Sequence, residues 1–397
     1  MNKKFGTSAK LLIAGDMIYN LTGVFINTFL VAYFLQITNE NMTKIALYYI
    51  TQYFVQSIGT LLIGKVIKKH PSKSKQILSS GIITRALFIF LIVIMAEKIA
   101  TNYILISILY AISEILYWCS HELIYIDVTT NDNRKNFMAS KKILSKIVSI
   151  ISPIILGSSI EFYSFTKIGV YVFGLSLIQI LLTLFIKTDM ENCTQKKYNL
   201  KNFLNYVKDN KLEKIKKYRY SAMAYGIVER SISTLIIIIT VMTFKTSFSL
   251  GVLTTIFSFC SMVSLLLYNK YYSSQNAKFI LTLCSLTLVF GVFGLLINIS
   301  KSTLVIYNFC YTITFCIFDV VYNTRKGNLV KECGIEEFRE EYIGYVSLSI
   351  GTGRIIGYSL MLLASFTSNI LFFKILLAIV TLFAPIYCYL IYKTEQN

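Results

Sequence analysis

Charge is scarce in this chain: charged residues make up 15% of its 397 positions, where a soluble chain of that length carries about a quarter. Proline is scarcer still, with three in the whole chain, and the 19 glycines are too few to punctuate a loop-rich fold. Together these shortages argue against a soluble multidomain enzyme. Histidine is limited to His70 and His121, and no C-x-x-C pair or Cys/His cluster occurs, so no metal site is expected. Cys119, Cys260, Cys284, Cys310, Cys316 and Cys388 lie inside apolar segments and read as packing residues, while Cys193 and Cys333 fall in polar loops. There is no G-x-x-x-x-G-K-S/T phosphate loop and no polar domain large enough to hold a nucleotide, so no cofactor is expected.

What is abundant is apolar. Hydrophobic residues supply 55% of the chain, in runs of roughly twenty, about the length that crosses ~30 Å of hydrocarbon as a helix. The sequence therefore describes an all-α polytopic membrane protein. The formal net charge of +19 does not indicate a nucleic-acid partner, because the basic residues sit between apolar runs rather than interleaved on one surface. The first apolar run, behind Lys3, Lys4 and Lys10, is too long for a signal-peptide core and lacks a small-residue cleavage pattern. It is expected to stay as the first span.

Twelve spans are predicted, over 11–36, 45–67, 77–96, 103–126, 143–160, 168–186, 220–243, 248–268, 279–299, 303–323, 343–366 and 369–392. Of the 39 basic residues, 30 belong to the termini and the even-numbered connections, and the odd-numbered connections hold only Lys44, Lys98, Lys167, Lys245 and Lys301. That bias places both termini in the cytoplasm of a plasma-membrane protein, as an even number of spans requires. The longest polar stretch lies at 187–219. There Leu200, Phe203, Leu204, Val207, Leu212 and Ile215 follow a helical period among lysines, which predicts a basic amphipathic helix. The expected domains are a six-helix bundle over 1–186, this cytoplasmic linker, and a second six-helix bundle over 220–397.

The two halves read as distant repeats. The stretch ending at Leu78 matches one ending at Leu281, an offset of 203, and the stretch beginning at Arg134 matches one beginning at Arg339, an offset of 205. The same 205 superposes Glu114 on Asp319.

Twelve spans in a six-plus-six arrangement with a long basic central loop resemble the major facilitator superfamily. After span two, the pattern G-x-x-x-D-K/R-x-G-K/R-K/R keeps its basic positions as Lys65, Lys68 and Lys69, with Thr60, Gly64 and Ile67 in place of its first Gly, its Asp and its second Gly. In span five, the antiporter pattern G-x-x-x-G-P-x-x-G-G keeps Pro153 and Gly157, with Val148, Ser152 and Leu156 in place of glycines. The resemblance implies two six-helix bundles with pseudo-two-fold symmetry, rocking around a site near the midplane. It further implies that spans 1, 4, 7 and 10 line a cavity, spans 2, 5, 8 and 11 form its sides, and spans 3, 6, 9 and 12 face outward.

Polar stripes fall where that layout needs them. Span 1 carries Asp16, Asn20, Gly23 and Asn27; span 4 carries Tyr110, Glu114, Tyr117 and His121; span 10 carries Thr312, Cys316, Asp319 and Asn323. Span 11 carries Ser347, Gly351, Arg354 and Tyr358, and span 7 has Tyr225, Glu229 and Ser233 with Arg230 adjacent. A charge facing lipid near the bilayer centre costs about 2.5 to 3.5 kcal/mol on insertion scales. Asp16, Glu114, Glu229, Arg230, Asp319 and Arg354 are therefore expected to face one another or a wet cavity, as proton-coupling or cavity charges. Asn20, Asn27, Tyr110, Tyr117, His121, Tyr225, Asn323 and Tyr358 are the expected cavity lining. Arg85 and Lys374, on spans assigned outward faces, are read as snorkelling or structural residues, and Gly351 and Gly353 as points of close helix packing.

These features predict a monomeric secondary transporter, not an enzyme, using alternating access without ATP. Four acids against two arginines, with tyrosines beside them, favour a small amphipathic or cationic organic solute and proton-coupled efflux. Import of a small metabolite and lipid flipping on the same fold are the alternatives, and a membrane-embedded lipid-modifying enzyme is the alternative class. The basic partition yields a test of topology. A cysteine introduced within 187–219 is expected to resist an impermeant thiol reagent added outside intact cells, and labelling from outside would overturn the orientation.

Overall fold

The computed structural model describes residues 6–129, 131–188, 198–271, 276–366 and 370–395; Cys193 and the rest of the 189–197 stretch lie outside them. Among the described residues the regular structure is helical. Eleven helical segments are long and apolar enough to cross a membrane, and one of these, Pro71–Tyr125, has 55 residues. As a single helix it would be about 80 Å long, far beyond one crossing. It turns at Ala96–Lys98, where Ala96 takes a positive φ of 44°, and so contributes two spans. The expected twelve spans are thus present.

In chain order the helices are α1 (Thr7–Ile37), α2 (Met42–Lys69), α3 (Ser74–Met95), α4 (Ile99–Asp127), α5 (Asn131–Tyr163) and α6 (Phe165–Leu184). After the short α7 (Leu200–Asp209) come α8 (Glu213–Phe244), α9 (Ser247–Tyr271), α10 (Ala277–Ile297), α11 (Lys301–Glu332), α12 (Arg339–Ser365) and α13 (Ile370–Glu395). Spans one to six are α1–α6, and spans seven to twelve are α8–α13. Local chemistry sets several ends. Ser300 opens α11 with a capping box to Thr303, and Asn199 caps α7 by accepting from the Asn202 amide. Lys245 closes α8 in the left-handed region at φ 58°. Within α1, Phe25–Leu30 is a π-helical segment that carries Asn27.

Two compact units follow. The first contains α1, α3, α4, α5 and α6, with α2 from Ile58 onward and α9 up to Thr255. Inside it α3 packs on α4 and α6, and α1 packs on α5 and α6. The second contains α7, α8, α10, α11, α12 and α13, with α2 up to Ser57 and α9 from Ile256. There α8 packs on α12, α13 and α11, while α10 packs on α11 and α13. The apolar side of α7 rests on α12: Phe203 is fully buried and its ring lies 5.8 Å from that of Tyr345. The buried carboxylate of Glu341 accepts the Asn199 amide at 2.9 Å, placing an acid at the N-terminus of α7.

Lipid is as apolar as a protein core, so helices in a bilayer associate through close packing and polar contacts rather than hydrophobic burial. The α8–α12 crossing uses both. A Cβ at Gly226 would collide with the Ile350 carbonyl oxygen, and one at Gly353 with that of Met223. Gly353→Val is therefore expected to lower the stability of the purified protein by about 1–3 kcal/mol, the usual range for overpacking. Gly327 in α11 has open space around its Cβ position, and Gly327→Ala should leave the unfolding temperature unchanged or slightly raised. Thermal unfolding followed by size-exclusion chromatography checks both; equal melting of Gly353→Val and wild type would sink the packing argument.

Candidate functional site

Each unit has its own charged cluster, and each is built from the polar stripes of its helices. In the first unit the centre is Arg85 of α3, which is 1% exposed. Its Nη1 lies 2.7 Å from Glu114 Oε1 of α4. Its Nε donates to the Thr22 hydroxyl at 3.0 Å and its Nη2 to the Tyr19 carbonyl at 3.2 Å, both on α1. The guanidinium carbon sits 3.7 Å from the Tyr19 ring centre. Gly23 lies one turn along α1, where an added Cβ would be in ordinary contact with Nη2 at 3.4 Å. Glu114 also accepts from the Tyr19 hydroxyl and, at 3.2 Å, from Trp118 Nε1.

A second layer lies beside the first, joined to it by the stacked rings of Tyr19 and Tyr117 at 3.6 Å. Asp16 is its centre. It accepts from the Tyr117 hydroxyl at 2.5 Å, and His121 Nε2 lies 2.8 Å from its Oδ1. Lys141 Nζ of α5 lies 2.9 Å from its Oδ2. At the margins Asn20 donates to Ser145 at 2.8 Å, and Tyr110 donates to Asn27 at 3.2 Å.

In the second unit Glu229 of α8 is clamped by two arginines. Arg354 of α12 donates through Nε at 3.0 Å and Nη2 at 2.6 Å to Oε2, while Arg230 Nε lies 3.0 Å from Oε1. The Arg354 guanidinium also lies 4.9 Å from the Tyr53 ring. Tyr358 does not reach a charged side chain; its hydroxyl donates to the Arg230 carbonyl at 3.1 Å and lies 2.6 Å from the Thr234 hydroxyl. Its ring stacks on Tyr49 at 4.6 Å. Asp319 of α11 is held differently. It accepts from the Tyr225 hydroxyl at 3.1 Å and from the Asn323 amide at 2.9 Å, both neutral.

Every expected site residue thus lies in one of the two clusters or at its margin. Two of the cations that matter were not among the expected site residues. Arg85 was expected as a snorkelling or structural residue on an outward-facing span; it has the structural role, but the structure turns it inward, between α1 and α4. Lys141 was counted among loop charges because span five was expected to begin at 143, but α5 begins at Asn131. The signal for Lys141 was present: Lys141, Ser145, Ser149 and Ser152 form a polar stripe at helical spacing. With Arg85 and Lys141 included, the expected excess of acids over cations disappears. Lys374 is structural, donating to the Leu296 and Ile297 carbonyls that end α10, at 2.7 and 3.2 Å.

Paired charges on inward faces of spanning helices suit passage of a solute better than bond chemistry, and among the described residues no group of acids, cysteines and histidines is arranged to hold a metal ion. The sequence model of the Major Facilitator Superfamily matches residues 13–332. The chain belongs to the major facilitator superfamily. Secondary transport across a membrane is that family's activity, and the resemblance read from the spans is now a membership. No curated protein matches the sequence. Among solved structures, the nucleoside transporter NupG shares the fold over 100% of both chains, at 13% identity and a TM-score of 0.73. A bacterial homologue of the iron transporter ferroportin does so over 98% of this chain and 99% of its own, at 12% identity and a TM-score of 0.72. A bacterial metal transporter covers 100% of both chains at 12% identity and a TM-score of 0.66.

The Arg85 geometry generates a stability test. Arg85→Leu leaves Glu114 without its guanidinium in a buried site, which is expected to cost about 3–5 kcal/mol. Arg85→Leu/Glu114→Gln is expected to recover a good part of that loss, as a coupled pair should. Thermal unfolding of the two single variants and the double variant measures it, and strictly additive losses would show that the pair is not coupled.

Proposed function

We propose that the chain is a proton-coupled secondary transporter that moves a small amphipathic or cationic organic solute out of the cell by alternating access. The observation that carries this reading is the uneven compensation of the four intramembrane acids. Asp16, Glu114 and Glu229 each have a fixed cation at ion-pair distance. Asp319 is held by a tyrosine hydroxyl and an amide. A proton-driven cycle needs a carboxylate whose charge changes between the two faces, and burial and neighbouring charge set when it does so. Glu114 and Asp319 are the candidates, with Asp16 and Glu229 next.

Solute class is supported by the aromatic faces. Tyr19, Tyr117 and Trp118 form one wall, and Tyr49, Tyr53 and Tyr358 another. Flat amphipathic rings suit an amphipathic solute or an organic cation. The fold itself imposes no solute, since it is shared by transporters of nucleosides and of metals. In this reading the protein works as a monomer in the plasma membrane with both termini cytoplasmic, supported by the partition of its basic residues.

A second reading has one observation in its favour. The first unit has an apolar cavity of about 480 Å³ between α1, α5 and α6, lined by Leu21, Ile147, Ile151, Ile155, Val172 and Tyr171 among others. Such a lining suits an acyl chain, as a lipid flippase would require. Proteoliposomes with an imposed pH gradient separate the two readings when offered organic cations, neutral amphiphiles and a fluorescent phospholipid. The expected result is uphill movement of a soluble amphiphile that stops when the gradient is collapsed. Neutralising the coupling acid, by Asp319→Asn or Glu114→Gln, should abolish uphill transport and leave downhill exchange partly intact. Gradient-independent accumulation in the wild type, or wild-type accumulation in both single variants and the double variant, would eliminate proton coupling through these acids.

A further inference from the structure

The two units carry the same small constellation with one member changed. Helix α3 buries Leu78, Gly81, Ile82, Arg85 and Ile89, and α10 buries Leu281, Cys284, Ser285, Leu288 and Val292, each 203 positions later. Between α4 and α11 the offset of 205 pairs Glu114 with Asp319, Tyr117 with Tyr322 and Trp118 with Asn323. Between α1 and α8 an offset of 206 pairs Tyr19 with Tyr225.

The contacts repeat with the residues. Tyr19 donates to Glu114 as Tyr225 donates to Asp319. Tyr19 stacks on Tyr117 at 3.6 Å as Tyr225 stacks on Tyr322 at 4.5 Å. Trp118 donates to Glu114 as Asn323 donates to Asp319. Position along the helix repeats as well: each acid lies 13 residues before the end of its helix, at Asp127 or Glu332, which is about 20 Å along it.

The exception is Arg85. Its counterpart on α10 is Leu288, which is fully buried. Glu114 therefore has a guanidinium built into the fold, and Asp319 does not. Among the described residues no Lys, Arg or His nitrogen lies within 4.0 Å of Asp319. The charged groups that act on it are Glu229 and Arg230 of α8, and both Arg230 and Arg354 of α12 are engaged on Glu229. α10 carries the buried, uncharged Leu288 and Cys284 at the positions that match Arg85 and Gly81 of α3, and from α13 comes the neutral Tyr387, which donates to the Phe318 carbonyl at 3.1 Å. Asp319 is also exposed, whereas Glu114 is half-buried.

We infer that Asp319 is the cation-accepting site of this protein: where the first unit keeps the fixed guanidinium of Arg85, the second has Leu288, and its carboxylate takes a mobile single positive charge. That charge is a proton or the positive centre of an organic cation. Glu114 is the fixed member of the repeated pair and keeps its ion pair throughout. The inference rests on the transport reading above and narrows it, from either acid to Asp319.

The test uses the full chain in lipid nanodiscs and needs no knowledge of the natural solute. Infrared difference spectra between acidic and basic buffer report the carboxyl C=O band of an acid that takes a proton. Equilibrium dialysis with tetraphenylphosphonium, a permanent organic cation, reports the other source. If the charge is a proton, a band is expected in wild type and in Glu114→Gln and is lost in Asp319→Asn. If it is an organic cation, tetraphenylphosphonium binding should weaken at least tenfold in Asp319→Asn and persist in Glu114→Gln. Leu288→Arg, which restores the guanidinium of the first unit, should suppress either signal, with Leu288→Met as the size control. Should Leu288→Arg fail to elute as a monodisperse species, the comparison of Asp319→Asn with Glu114→Gln decides alone.

Absence of both signals from the wild type, their survival in Asp319→Asn, or their loss in Glu114→Gln overturns the inference. An Asp319-dependent signal without gradient-driven transport in proteoliposomes leaves the inference standing and removes the proton-coupled transport proposed above.

Discussion

A charge placed in hydrocarbon has to bring its compensation with it, and much of this structure follows from that requirement. A lone Arg or Asp at the bilayer centre costs about 2.5–3.5 kcal/mol on insertion scales. Arg85 meets the requirement by donating to three groups on two helices: Thr22 and Tyr19 on α1, and Glu114 on α4. It therefore ties α1, α3 and α4 together at one height. Glu229 does the same for α8 and α12 by accepting from Arg354. Such pairs specify register more than they stabilise, because replacing a whole buried pair by apolar residues is often neutral. Where core and solvent are equally apolar, that specification has few substitutes.

What could be read from the sequence was local, and what could not was a matter of direction. The spans and polar stripes follow from periodicity within each helix, so Asp16, Glu114, Asp319 and Arg354 stood out without any knowledge of their neighbours. Arg85 did not, because an isolated arginine on an apolar helix has the same pattern whether it points inward or outward. Only the turning of α3 toward α1 decides it. Lys141 was hidden by a boundary, since a helix that begins at Asn131 rather than near 143 carries it well inside. The same kind of error displaced Asp319. Its span was expected to end at 323, near the residue, but α11 continues to Glu332, so Asp319 lies well inside the helix rather than near its end.

The repeat was visible as a few matched stretches, and the structure extends it to burial and hydrogen bonding. The fold itself is shared with solved transporters at 12–13% identity. What the fold requires is a pattern of small, apolar and paired polar positions, and many sequences satisfy it. The few positions where the two matched environments differ, such as Arg85 and Leu288, leave little trace in composition or hydropathy.

The glycines where α8 meets α12 have a mechanical consequence. Gly226 faces the Ile350 carbonyl and Gly353 faces the Met223 carbonyl with no side chain between, and the Glu229–Arg354 pair lies within one turn of that crossing. Flexible side chains act as springs between helices, and at these two glycine positions backbone meets backbone directly. Such direct backbone contact leaves little room for α8 and α12 to slide past each other, and the ion pair sits beside that contact.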